Sequence, residues 1–221
     1  MKISWRSEIL PIIFIVAAFV LAAVAWPQAP DRIPIHWGLN GQPNSYAGKI
    51  GLFYPALIAL GVYVLLLVLP RIDPRRRNYE KFWGAYTFIR TAVIAALVAI
   101  EVFTVLWALD VKVNINIVVP VIVGLLLMVT GNFLGKIRPN WFAGIRTPWT
   151  ISSTESWNKT HRLGGRLFVL LGLALTVAAP FQKTWAFTMV AVLAGVIIVT
   201  LIAYSYVIWK RDPEAKKLAG R

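Results

Sequence analysis

"WAFTMVAVLAGVIIVTLIAYSYVIW", residues 185–209, is an uncharged and largely apolar run bracketed by Trp185 and Trp209. A helix rises 1.5 Å per residue, so about twenty apolar residues cross ~30 Å of hydrocarbon, with indole rings settling at the headgroup level on either side. The run therefore reads as a transmembrane helix over 185–208. The same criterion finds five more, at 9–26, 51–69, 87–109, 115–134 and 164–180. Trp5 and Trp26 bracket the first, and Trp83 and Trp107 the third. A helix satisfies its own backbone hydrogen bonds where water is absent. The expected fold class is thus all-α: a polytopic membrane protein with six transmembrane helices.

Composition points the same way. Only 14% of the 221 residues are charged and the mean hydropathy is +0.69, against roughly 25% charged in a soluble domain. A secretory leader is the rival reading of the first run, because Lys2 and Arg6 precede it and Ala23-Val24-Ala25 resembles a cleavage site. The run is long for a leader's apolar core, which favours a span. No connection between spans has room for a separate globular module, so function sits in the bundle or its loops. There is no cysteine, which excludes disulfides and thiolate metal sites.

A net charge of +14 suggests nucleic-acid binding in a soluble protein, but its distribution here follows membrane topology. Eighteen lysines and arginines fall on one side of the six runs and four on the other, with Arg90 inside the start of the third. The positive-inside rule then places both termini in the cytoplasm and predicts no direct contact with nucleic acid. The run Arg75-Arg76-Arg77 is read as a topology determinant touching anionic membrane lipids.

Two loops carry more than topology requires. The outer loop, 27–49, is rich in Pro, Gly and Asn, and is expected to form ordered turns with at most a short strand. The inner loop contains "IRPNWFAGIRTPWT", 137–150, followed by Ser152 and Glu155 at capping-box spacing. A helix beginning there pairs Glu155 with Lys159 and puts Trp157, His161, Gly164 and Phe168 on one face, with His161 expected to be a satisfied packing residue. Asp73-Pro74 signals a short interfacial helix. In "GNFLGK", Gly131 and Gly135 suit close helix packing, and Asn132 is expected to bond another helix or the following loop. Glu101, well inside the third span, is either a site opening outward or a carboxyl hydrogen-bonded to a neighbouring helix.

"RIPIHWGLNGQPNSYAGK" (32–49), with Pro34, His36, Trp37, Gly41 and Pro43 in a P-x-H-W…G-x-P pattern, resembles a small uncharacterised membrane module. "GNFLGKIRPNWFAGIRTPWTISSTESWNKTHRLGGRLF" (131–168) resembles the signature of the SdpI family of membrane immunity proteins. It matches in order at Gly131-Asn132, Lys136 to Asn140, Gly144 to Thr150 and Trp157 to Arg162. The resemblance implies a two-span module over 1–86 and a four-span module over 87–221. It also implies protection from a secreted peptide toxin, with possible retention of a cytosolic transcriptional repressor at the membrane. The candidate outer binding residues are His36, Trp37, Asn40, Gly41, Pro43, Tyr46 and Glu101. The candidate inner ones are Asn132, Arg138, Asn140, Gly144, Arg146, Thr147, Trp157 and His161.

The expected chemistry is binding, not catalysis. His36 and His161 fall on opposite sides, so they cannot share a metal, and His36 with Glu101 would still fall short of a usual zinc site. No catalytic triad, Glu-x-x-His motif or phosphate loop is present, and no cofactor is expected. A small-solute or proton-coupled transporter is the alternative, because three spans in each half make a 3+3 inverted arrangement.

Overall fold

The computed structural model describes residues 5–38, 41–111, 113–181 and 183–218. Asn40 lies outside the described residues, as do Lys2, Lys112 and Arg221 and the side chains of Lys216 and Lys217. The first helix, α1, is Trp5–Ala25; strands β1 (Arg32–Trp37) and β2 (Pro43–Gly48) form a hairpin, and α2 is Tyr54–Ile72. Then come α3 (Trp83–Ala108), α4 (Ile115–Leu134), a short α5 (Pro148–Ser152), α6 (Thr154–Ala178), α7 (Thr184–Arg211) and α8 (Pro213–Leu218). Six helical segments are long and apolar enough to cross a membrane: α1, α2, α3, α4, α6 and α7, some lengthened by a 3-10 turn. None of the six helices is interrupted by an unwound segment of the kind that builds transporter substrate sites.

The all-α expectation has one exception. The outer loop is a two-stranded antiparallel hairpin, pairing Arg32 with Gly48 and Trp37 with Pro43, with irregularities on either side of His36. Pro34 is tolerated because neither strand has a second neighbour whose ladder would need its missing N–H. Ile33 anchors the hairpin to the bundle in one cluster with Ala22, Ala25, Leu52, Val105 and Ala108. The short interfacial helix expected after Asp73-Pro74 is a 3-10 helix, Arg76–Lys81.

Helices α1, α2 and α3 pack together through Ile15, Ala18, Ala56, Ala59, Tyr63, Ile94 and Val98. At their hairpin-distal end Arg90 donates through Nη2 to both carboxylate oxygens of Glu8, each at 2.6 Å, and the Tyr63 hydroxyl donates to Glu8 at 2.9 Å. Arg90 is 1% exposed, so this three-helix tie is a buried ion pair. Pairing lowers the heavy desolvation cost of the two charges.

On the other side α4 and α6 make the most extensive helix contact in the protein. Gly131 and Gly165 face each other so closely that a Cβ on either would come within 2.6 Å of the other's carbonyl oxygen. Gly124 and Gly172 repeat the arrangement two turns away. Small residues let the backbones approach, which drives packing where lipid is as apolar as the side chains.

Candidate functional site

The loop between α4 and α6 is held at both ends by the same device. Asp73 ends α2 and Asp212 ends α7; each is followed by proline, and each uses Oδ1 to accept the backbone N–H two residues on, at Arg75 (2.6 Å) and Glu214 (3.0 Å). This Asx turn leaves Oδ2 to reach the loop. Asp73 Oδ2 accepts from Trp141 N at 2.9 Å, near the start of the loop. Asp212 Oδ2 accepts from Ser153 Oγ at its end. That bond, ahead of other contributions, holds the Asp212 carboxyl below the ordinary carboxylate range.

Between those anchors the loop is organised by Asn140, which is 1% exposed. Its Oδ1 accepts from Phe142 N at 2.9 Å and Ala143 N at 2.6 Å, and its Nδ2 donates to the carbonyls of Arg138 and Ala143, both at 2.9 Å. The Tyr79 hydroxyl shares its proton between Asp73 Oδ2 (3.1 Å) and Asn140 Oδ1 (3.2 Å). Burial first, then the Asp73 carboxylate, pushes the Tyr79 phenol well above its ordinary value, so it stays a donor.

The far part of the loop is locked to α6 and α7. Trp157 Nε1 donates to the Ile137 carbonyl at 2.8 Å, and its ring stacks on His161 at 4.1 Å between centroids. Ile145 N–H donates to His161 Nε2 at 2.9 Å, so the ring proton sits on Nδ1 and faces the Trp157 carbonyl at 2.8 Å. Gly144, at φ 111°, is required here: a Cβ would run into His161 Nε2. Thr147 and Thr150 form a reciprocal capping box at α5, and Thr147 Oγ1 also meets Ser205 Oγ of α7 at 2.9 Å. The capping residue of α6 is Ser153, one position later than the spacing of Ser152 and Glu155 suggests; Ser152 instead bonds the Pro148 carbonyl at the end of α5. The Glu155–Lys159 pair is present at 2.6 Å on the surface.

Asn140, Thr147, Trp157 and His161 are therefore buried members of a latch, and the loop's outward side is made by other groups. Trp141 is 44% exposed, and Arg146, also exposed, donates to its carbonyl at 2.7 Å. A separate cleft of about 740 Å³ is lined by Arg75, Lys81 and Arg138 with Asn78, Asn158 and Ser152. Asn132 departs from expectation: it is exposed, and among the described residues its side chain has no hydrogen-bond partner on another helix or the loop.

At the opposite end, the hairpin overhangs α3 and α4 to form an apolar groove of about 410 Å³. Trp37 meets Phe103 edge-on at 5.4 Å, with Ile35, Ile100, Val119, Pro120 and Phe187 completing the walls. His36 lines the same groove and bonds Asn44 Oδ1 through Nδ1 at 2.6 Å. Gly41, at φ 75°, turns the hairpin tip against Asn116, while Tyr46 lies 40% exposed under the Arg32 guanidinium. Pro43 is half-buried opposite Trp37. Glu101 is fully buried, and its Oε2 accepts from Ala56 N at 3.1 Å, taking one of the unpaired N–H groups that start α2. Its Oε1 is buried and has no hydrogen-bond partner among the described residues. Among the described residues no three His, Asp or Glu side chains gather.

Comparison with known proteins follows this division. The SdpI/YfhL protein family model matches residues 136–205, the stretch from the loop through most of α7. A domain of unknown function (DUF1648) matches residues 13–70, which include the hairpin. The chain is 25% identical over 203 residues to "Immunity protein SdpI" of Bacillus subtilis (strain 168), covering 91% of this chain and 96% of that one. No solved structure matches. With six apolar helices, the matched segment sits in a multi-pass membrane protein.

Sequence reasoning missed several latch members that lie outside the SdpI/YfhL segment: Asp73, Tyr79 and Asp212. The signal was the Asp-Pro pair closing both the second and the sixth span, a repeated helix stop with a spare carboxylate oxygen. Glu8 was missed too, because nothing local links it to Arg90.

Proposed function

We propose that this protein makes the cell that carries it immune to a secreted peptide toxin. The observation that supports this reading most is the match to an immunity protein along nearly the full length of both chains. In this reading the arginine-rich end faces the cytoplasm, as positive charge on short loops favours, and the hairpin faces outward. The apolar groove under Trp37 takes the apolar side of an amphipathic toxin, with His36 and Asn116 as its polar lining. The basic cleft lined by Arg75, Lys81 and Arg138 takes an acidic segment of a cytosolic partner, such as a repressor held at the membrane.

Survival tests the reading directly. A sensitive bacterial host expressing the wild-type chain is challenged with a panel of secreted amphipathic antimicrobial peptides. Survival against at least one of them is expected, with Trp37→Ala losing protection while still inserting. Correctly inserted wild-type protein that leaves the host sensitive to every peptide would sink the proposal.

A further inference from the structure

Arg162 and Arg166 are two exposed charges set side by side against a helix crossing. Both are exposed and lie one turn apart on the same side of α6, beside the close Gly131–Gly165 crossing. They line a groove of about 420 Å³ with Gly131, Asn132, Gly135 and Gly165. Neither arginine has a carboxylate partner among the described residues, whereas Arg90 pairs with Glu8 and Lys159 with Glu155. Arg75, Arg138 and Arg146 differ, since each donates to a carbonyl or amide oxygen of the latch.

We infer that this groove binds the headgroup phosphate of an anionic phospholipid. Backbone of Gly131, Gly135 and Gly165 forms its floor beside the crossing, and the Arg162 stem lies across Gly135, where a Cβ would approach its Cγ at 3.3 Å. The trough opens beside the last turn of α4, at the end of an apolar run, which is where acyl chains give way to headgroups. Two guanidinium groups on one face suit a phosphate, each offering a planar fork of donors. The exposed Asn132 amide adds a neutral donor at the rim. No Asp or Glu lines the groove to receive the ammonium of a zwitterionic lipid, so net negative headgroups are favoured over phosphatidylcholine.

The full-length chain, purified in detergent, is titrated with phosphatidylglycerol, phosphatidylcholine or inorganic phosphate, and bound lipid is counted by native mass spectrometry. Phosphatidylglycerol should be retained in preference to phosphatidylcholine. Arg162→Gln with Arg166→Gln should weaken that retention on the order of thirty-fold, at about tenfold for each 1.4 kcal/mol and about 1 kcal/mol for each arginine at a membrane surface. Lys49→Gln with Lys183→Gln, at the hairpin end of the bundle, should leave it unchanged. A headgroup-photoreactive phosphatidylglycerol on the wild-type protein should label residues within 131–135 or 162–169, a readout that depends on no variant. Equal retention of the two lipids, labelling elsewhere, or full competition by inorganic phosphate would overturn the assignment.

Discussion

Replacing Asn140 by alanine tests whether the loop is a latch or only a connection. The change removes one acceptor oxygen that serves two backbone N–H groups and shares the Tyr79 hydroxyl, and one amide that serves two carbonyls. Each buried polar group left without a partner costs about 1–3 kcal/mol. Tyr79 keeps Asp73, and Phe142 and Ala143 are only half-buried, so water recovers part of the loss. The expected destabilisation is about 2–4 kcal/mol, against about 0.5 kcal/mol for an ordinary surface change. For a chain of this size that lowers Tm by about 5–15 °C. Melting in detergent micelles reads the first quantity, and trypsin cleavage after Arg146 reads local release of the loop. Asn140→Asp should also destabilise, since it keeps the acceptor but loses both donors and sets a second carboxylate beside the one Tyr79 proton. An alanine variant that melts like wild type with no faster cleavage would refute the latch.

Three further outcomes follow from the geometry. Glu8→Ala strands the Arg90 charge at 1% exposure and should cost about 3–5 kcal/mol in the same melting assay, whereas Glu8→Leu with Arg90→Met should recover most of it. Gly144→Ala forces a φ of 111° on a residue with a Cβ and drives that atom at His161; it should cost about 1–3 kcal/mol from backbone strain alone. Asp212 has a folded value below its ordinary 3.8. Its bond to Ser153 therefore adds stability that is fully present above the ordinary value and is lost as pH falls through the lowered one. Ser153→Ala should flatten that part of the stability–pH curve, and an unchanged acid limb would remove Asp212 from the latch.

How much was legible differs sharply between the bundle and its ends. Transmembrane spans are one-dimensional objects: apolar length against hydrocarbon thickness, with Trp at the boundaries, places all six helices without any long-range information. Charge asymmetry likewise predicts an orientation from local counting. The hairpin was underestimated because Pro34 and the Gly/Asn cluster argue locally for turns. Ile33 and Leu52, meeting on the bundle, are what make two strands worthwhile. His161 was expected to be satisfied, but its partners Ile145 N–H and Gly144 lie across a loop whose path no periodicity describes.

By itself, then, the sequence determined that the chain crosses a membrane as six helices, because that follows from the transfer of local segments between water and lipid. Only the tertiary structure decided which charges answer each other. Glu8 meets Arg90, Asp73 meets Trp141 and Asp212 meets Ser153, while Arg162 and Arg166 are left facing outward. Those pairings depend on distances of a few ångströms between residues far apart along the chain. Electrostatic and hydrogen-bond energies vary steeply over that range, and no reading of neighbours along the chain contains them.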